Sequence, residues 1–123
     1  MNTFEQLAAL GTEKVKGKIV VYNQGWTNYY EKVVFRAQGA DQAAKYGAVA
    51  ALVRSIASKS IYSPHAGRQY STKIPIAAIA IEDAEMMQRM RDRNQTIKLE
   101  FTLENKVVEN AASNNLVFDI TGS

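Results

Sequence analysis

Three short apolar runs constrain this chain more than any other feature. They are Ile19–Tyr22 (IVVY), AVAALVRSI centred on Ala51–Val53, and Ile74–Ile81 (IPIAAIAI). A strand with one wet face alternates apolar and polar residues. An unbroken run has no wet face, so each of these reads as a strand covered on both sides. Alanines in the second run demand something packed close above it, and the preceding helix-forming stretch is the natural cover. Pro75 suits the start of the third strand, where its missing N–H is not needed.

Helical stretches separate the runs. FEQLAALG reads as a short helix stopped by Gly11. GADQAAKYGA places Ala40, Ala43 and Ala44 at helical spacing, with Gly47 as the terminator. EDAEMMQRMRDRN is the clearest helix: acids fill its first turn, Met86, Met87 and Met90 form a stripe read as core packing, and arginines fill its last turn. Asn94 is positioned to cap it. YYEKVVFRA is ambiguous, being rich in β-formers without a clear period.

Two further stretches look like strands. TIKLEFTLE alternates strictly, with Ile97, Leu99, Phe101 and Leu103 on one side, as a half-exposed antiparallel strand would. Asn105-Lys106 is a turn candidate, VVEN could pair back, and Leu116–Ile120 reads as a last strand. The fold class expected is mixed α/β in a single domain over residues 1–123, a size that can build its own core.

Composition narrows the function. Net charge is only +3 and the basic residues are dispersed. Arg89 and Arg93 share a helix face with Asp92 among them, which suits a solvated helix end better than a nucleic-acid surface. The apolar runs fall short of a membrane span, and MNTFEQLAAL lacks the basic start and long apolar stretch of a signal peptide. There is no cysteine and one histidine, His65. That excludes disulfides and thiol catalysis and argues against a zinc site in this chain. No phosphate-binding glycine loop or nucleophile elbow is present. Asn94-Gln95-Thr96 matches the N-glycan acceptor pattern and would fit a surface turn of a secreted protein.

Two segments carry loop chemistry. Gln24–Tyr30 holds the only tryptophan, Trp26, with Asn28 and Tyr29. Residues 55–73 form a long aperiodic loop that includes IYSPHAGRQY, with Tyr62, His65, Arg68 and Tyr70. Long loops in compact domains tend to be functional. The candidate interaction residues are therefore Trp26, Asn28, Tyr29, Tyr62, His65, Arg68 and Tyr70. The competing role for Trp26 and Tyr62 is to cap the domain's own core.

VKGKIVVYN, GADQAAKYGAVAALVRS, KIPIAAIAIEDAEMM and DITGS together resemble the protease-associated (PA) domain of co-catalytic zinc peptidases. SPHAG narrows the resemblance to the carboxypeptidase Q type. The family's longer acidic segment before Ile-Pro is reduced here to Arg68–Lys73. The resemblance implies a swivelling β/β/α fold, mostly antiparallel sheets with two main helices on one side. It implies a non-catalytic accessory domain with no catalytic residue, cofactor or metal of its own, the zinc belonging to the parent's catalytic domain. One histidine cannot supply the two-zinc ligand set of such a peptidase. The partners implied are that catalytic domain, a homodimer partner and a peptide substrate at the domain interface, with neither nucleic acid nor membrane. The compartment implied is secreted or lysosomal, or exported in a bacterium. Two alternatives stand beside this: a phosphohistidine swivelling carrier using His65, and a standalone small-ligand binder resting on the long loop.

Overall fold

The computed structural model describes residues 1–59, 61–65, 67–70, 73–106 and 108–122. The elements follow the order α1 (Phe4–Val15), β1 (Ile19–Tyr22), α2 (Tyr29–Ala44), β2 (Ala50–Arg54), β3 (Ile76–Ile79) and α3 (Ile81–Asp92). The three apolar runs are the three strands. They form one sheet in the order β1-β2-β3, with Ile19 opposite Ala50 and Ala51 opposite Ile76.

Both pairings are parallel, which corrects the antiparallel expectation. The reason lies in the connections. Each strand returns through a long crossover, α2 in one case and residues 55–75 in the other, and a crossover of that length delivers parallel neighbours. The antiparallel strands were to come from 96–104 and 116–120. Among the described residues neither segment enters a ladder, and Leu116, Val117, Phe118 and Ile120 are exposed. Val107, at the head of VVEN, and Ser123 lie outside the described residues. Ile97, half-buried, and Leu99, 38% exposed, line a groove of about 490 Å³ along the open edge of β1, between α1 and α3.

The expected placement of two helices on one side also changes. Val20, Tyr22, Ala51 and Val53 alternate onto one face, where they join Leu7 and Val15 of α1 and Phe35 and Ala43 of α2 in a single core. The next residue after Val53, Arg54, points to the other face and bonds Glu85 of α3. Helices thus lie on both sides of the sheet; β2 is buried on both faces, as its unbroken apolar run requires, whereas β1 is half-buried at Ile19 and Val21 and β3 is half-buried throughout. Buried Ile81, Ala84 and Met87 are the inner stripe of α3, while Met86 faces solvent. Of the methionine stripe, the core therefore holds Met87.

Small residues set the closeness of α2 to the sheet. Gly39, Ala40 and Ala43 are buried on its inner side, over the alanines of β2. A Cβ on Gly39 would stand 2.8 Å from the Tyr22 ring, and the Tyr22 hydroxyl donates to the Gly39 carbonyl at 2.8 Å. The ambiguous YYEKVVFRA is the first half of α2, capped by the Asn28 side chain, which accepts from the Glu31 N–H at 3.0 Å. Gly11 breaks helical geometry at φ 62°, but the chain resumes helical turns to Val15. Gly47 follows α2 at φ 78°, a left-handed conformation that favours glycine.

Candidate functional site

Parallel topology puts every strand's carboxyl end on the same edge. The segment after β1 (23–28) and the one after β2 (55–75) both emerge there, and that edge is where open α/β sheets place their working residues. Both interaction loops read from sequence therefore lie on one face of the molecule. Ser60 and Ala66 of the second loop, and Ser71 and Thr72 of its shortened arm, lie outside the described residues.

The strand ends are tied together by Arg54, whose side chain is largely buried. Its Nη1 donates to Asn23 Oδ1 at 3.0 Å and its Nη2 to Glu85 Oε1 at 3.2 Å. Buried Gln24 donates from Nε2 to the Arg54 carbonyl at 2.9 Å. The root of the first loop is thereby locked to the ends of β1 and β2 and to α3. Buried Ser55 anchors the second loop by accepting the His65 backbone N–H at 2.6 Å.

Above these anchors the side chains form a layered cluster. Arg36 Nη2 donates to the Tyr29 hydroxyl at 2.9 Å, and the Arg36 guanidinium lies 5.8 Å from the Tyr29 ring centroid. The Tyr29 ring meets His65 edge-on, with centroids 6.1 Å apart. Gly67 closes over the other side of Arg36: a Cβ there would stand 2.7 Å from Cζ. Arg36 Nε and Nη1 are buried and have no hydrogen-bond partner among the described residues. Further out, Arg68 stacks over Tyr70 with Cζ 4.9 Å from the ring centroid.

Tyr29, His65 and, through Arg36, both loops are thus brought together. Tyr62 and Tyr70 are 70% and 66% exposed, and Tyr30, next to Tyr29 in sequence, reaches 88%. Trp26 is 39% exposed. Tyr62, at 70% exposed, does not cap the core. Asn28 is the exception within the first loop, because its side chain is occupied in capping α2. Sequence reasoning missed Arg36, Ser55, Gln24 and Arg54. Arg36 was findable: it follows Tyr29 by seven residues, two helical turns along one face, once residues 29–44 are read as helix.

The residues present do not fit a zinc centre. Among the described residues no three His, Cys, Asp or Glu side chains are grouped to hold a metal ion, and His65, the one imidazole, sits on an exposed loop beside tyrosine. Among the described residues, no helix is long and apolar enough to cross a membrane.

The sequence pattern of the PA domain family matches residues 2–87. Carboxypeptidase Q of Bos taurus is 48% identical over 127 aligned positions that take in 100% of this chain. Carboxypeptidase Q of Mus musculus is 48% identical over 98% of it. The chain spans only 27% and 26% of these two relatives. Among solved structures, a peptidase M28 precursor from Shewanella amazonensis superposes with a TM-score of 0.71 at 27% identity, over 77% of this chain and 24% of that one. The helix-connected strands, the glycine-terminated α2 and the Ile-Pro entry to β3 all fall inside the matched span, and the chain belongs to the PA domain family.

Proposed function

We propose that this chain is the non-catalytic accessory domain of a zinc peptidase of the carboxypeptidase Q kind, with hydrolysis carried out by a separate catalytic domain. Its loop face, residues 24–30 and 61–70, contacts that domain, a partner subunit or the peptide, and so shapes access to the active site. The observation that carries this reading is the exposed aromatic and cationic cluster on one edge of the sheet. Trp26, Tyr30, Tyr62 and the Arg68–Tyr70 stack are exposed there to different degrees, while their roots are fixed by Arg54 and Ser55. Tyrosine, tryptophan and arginine are the side chains that protein interfaces favour, because they bury large area at low entropic cost. Relatives that extend well beyond the aligned span supply the chain that such a face would meet.

Zinc belongs, in this reading, to the catalytic domain. The parent travels a secretory, lysosomal or exported route, which agrees with the bacterial relative being described as a precursor.

Alanine at Trp26 and at Arg68, made in the full peptidase, tests the loop face. The expected result is a raised KM or weakened subunit association with the fold intact by circular dichroism. Wild-type KM and association in both variants would remove the loops from the contact surface.

A further inference from the structure

The Asn94-Gln95-Thr96 acceptor pattern is used neither by the core nor by the loop face. It occurs once in the chain: no other asparagine has Ser or Thr two residues on. The structure places it just past the end of α3. Asn94 takes a left-handed conformation at φ 56°, which asparagine tolerates better than most residues. Its backbone N–H donates to the Arg91 carbonyl at 2.8 Å, and the Gln95 N–H donates to the Met90 carbonyl at 3.0 Å. These bonds finish the helix with backbone groups alone and leave the Asn94 carboxamide without a hydrogen-bond partner among the described residues. Asn94 and Thr96 are both exposed. Gln95 and Ile97 line the groove beside β1, whereas Asn94 and Thr96 are not among its lining residues. The alternation sets the amide and the hydroxyl two residues on, the two groups of the acceptor pattern, together on the outward side.

The position in the fold matters as much as the exposure. The loops leave from the carboxyl ends of the strands. α3 starts where β3 ends and runs back, so its last turn reaches the amino edge, where Arg91 and Gln95 line the same groove as Gly17 and Lys18. A bulky group on Asn94 therefore stands at the edge opposite the loop face.

We propose that Asn94 is an N-glycan acceptor, and that the oligosaccharide covers the amino edge of the domain while leaving the loop face clear. In the transfer, Asn94 Nδ2 forms a bond to the anomeric carbon of a lipid-diphosphate-linked oligosaccharide. The bond from that carbon to the diphosphate oxygen breaks, its electron pair stays on the diphosphate, and the amide gives up one proton. The modification in the native cell rests on the secretory reading above; the competence of Asn94 does not.

The test keeps the two apart. The full peptidase is produced in eukaryotic cells in two forms, one with its natural N-terminus and one behind a supplied secretion signal. The Asn94–Lys98 tryptic peptide is then analysed by mass spectrometry with and without peptide N-glycosidase, which converts a glycosylated Asn94 to Asp. In the signal-directed form Asn94 is expected to be glycosylated, and both Asn94→Gln and Thr96→Ala to abolish that. Transfer occurs on the emerging chain, so the result does not depend on how well a variant folds. An unmodified Asn94 in the signal-directed form, or modification that survives Thr96→Ala, overturns the proposal. Modification in the signal-directed form alone upholds Asn94 as an acceptor and counts against the secretory route.

Discussion

Tyr22 and Gly39 make a close residue-scale fit in the core. Tyr22 is fully buried at the end of β1, and its ring lies edge-on to Phe4 and tilted against Phe35. Burial raises the phenol pKa well above its ordinary value, so the hydroxyl stays a donor to the Gly39 carbonyl. Tyr22→Phe keeps the ring and removes one hydrogen bond to a carbonyl that α2 already pairs, which costs about 0.5–1.5 kcal/mol. Gly39→Ala pushes a methyl group into the ring and costs about 1–3 kcal/mol by overpacking. Urea unfolding of the two variants checks both values. Because the two changes act on one contact, the double variant should lose less than the sum of the single losses.

At the scale of the element, α2 shows how a helix can form from a sequence rich in β-formers. Its start is specified by side chains rather than by propensity. Asn28 accepts from the Glu31 N–H, and Glu31 in turn accepts from the Thr27 hydroxyl at 2.6 Å. The hydrogen bond from Thr27, then that from Asn28, hold the Glu31 carboxyl below its ordinary pKa. A carboxylate with a depressed folded-state pKa adds stability above its unfolded value, about 4.3, and loses it as pH falls through the folded value. Glu31→Gln should therefore lower stability at neutral pH and flatten the acid limb of a stability–pH profile, with the two chains converging below the folded value. Asn28→Ala should cost about 0.5–2 kcal/mol through the lost cap, read as a lower urea midpoint. A wild-type acid limb in Glu31→Gln, or an unchanged midpoint in Asn28→Ala, would count against this account of the helix start.

For the molecule as a whole, parallel pairing gathers 24–30 and 61–70 on one edge and leaves Asn94 on the other. It also divides the chain into a packed body and an outlying segment. Residues 105–122, outside the PA-matched span, carry no strand among those described and are exposed. Truncation after Glu104 should therefore leave the unfolding free energy of the isolated chain, read by urea, within about 0.5 kcal/mol of wild type. A larger loss would mean that the segment packs on the body.

The sequence by itself determined the parts whose cause is local. Unbroken apolar runs became β1, β2 and β3, and the central one, β2, is the run buried on both faces. Gly47 ended its helix, Pro75 preceded its strand, and the alanines of β2 announced a closely packed α2. The family was legible from the same stretches. What the tertiary structure decided was pairing and company. Strict alternation at 97–103 signals an apolar face, and Ile97 and Leu99 did turn toward the groove, but alternation names no partner strand and no ladder formed. Parallel against antiparallel was a property of the long connections rather than of any strand. Of the loop residues singled out, Asn28 proved to be a helix cap, which residue type alone cannot separate from an interaction residue. Arg36, hidden in an ambiguous stretch, emerged at the centre of the loop face only when two turns of α2 carried it over Tyr29 and a loop about thirty residues on folded Gly67 against it.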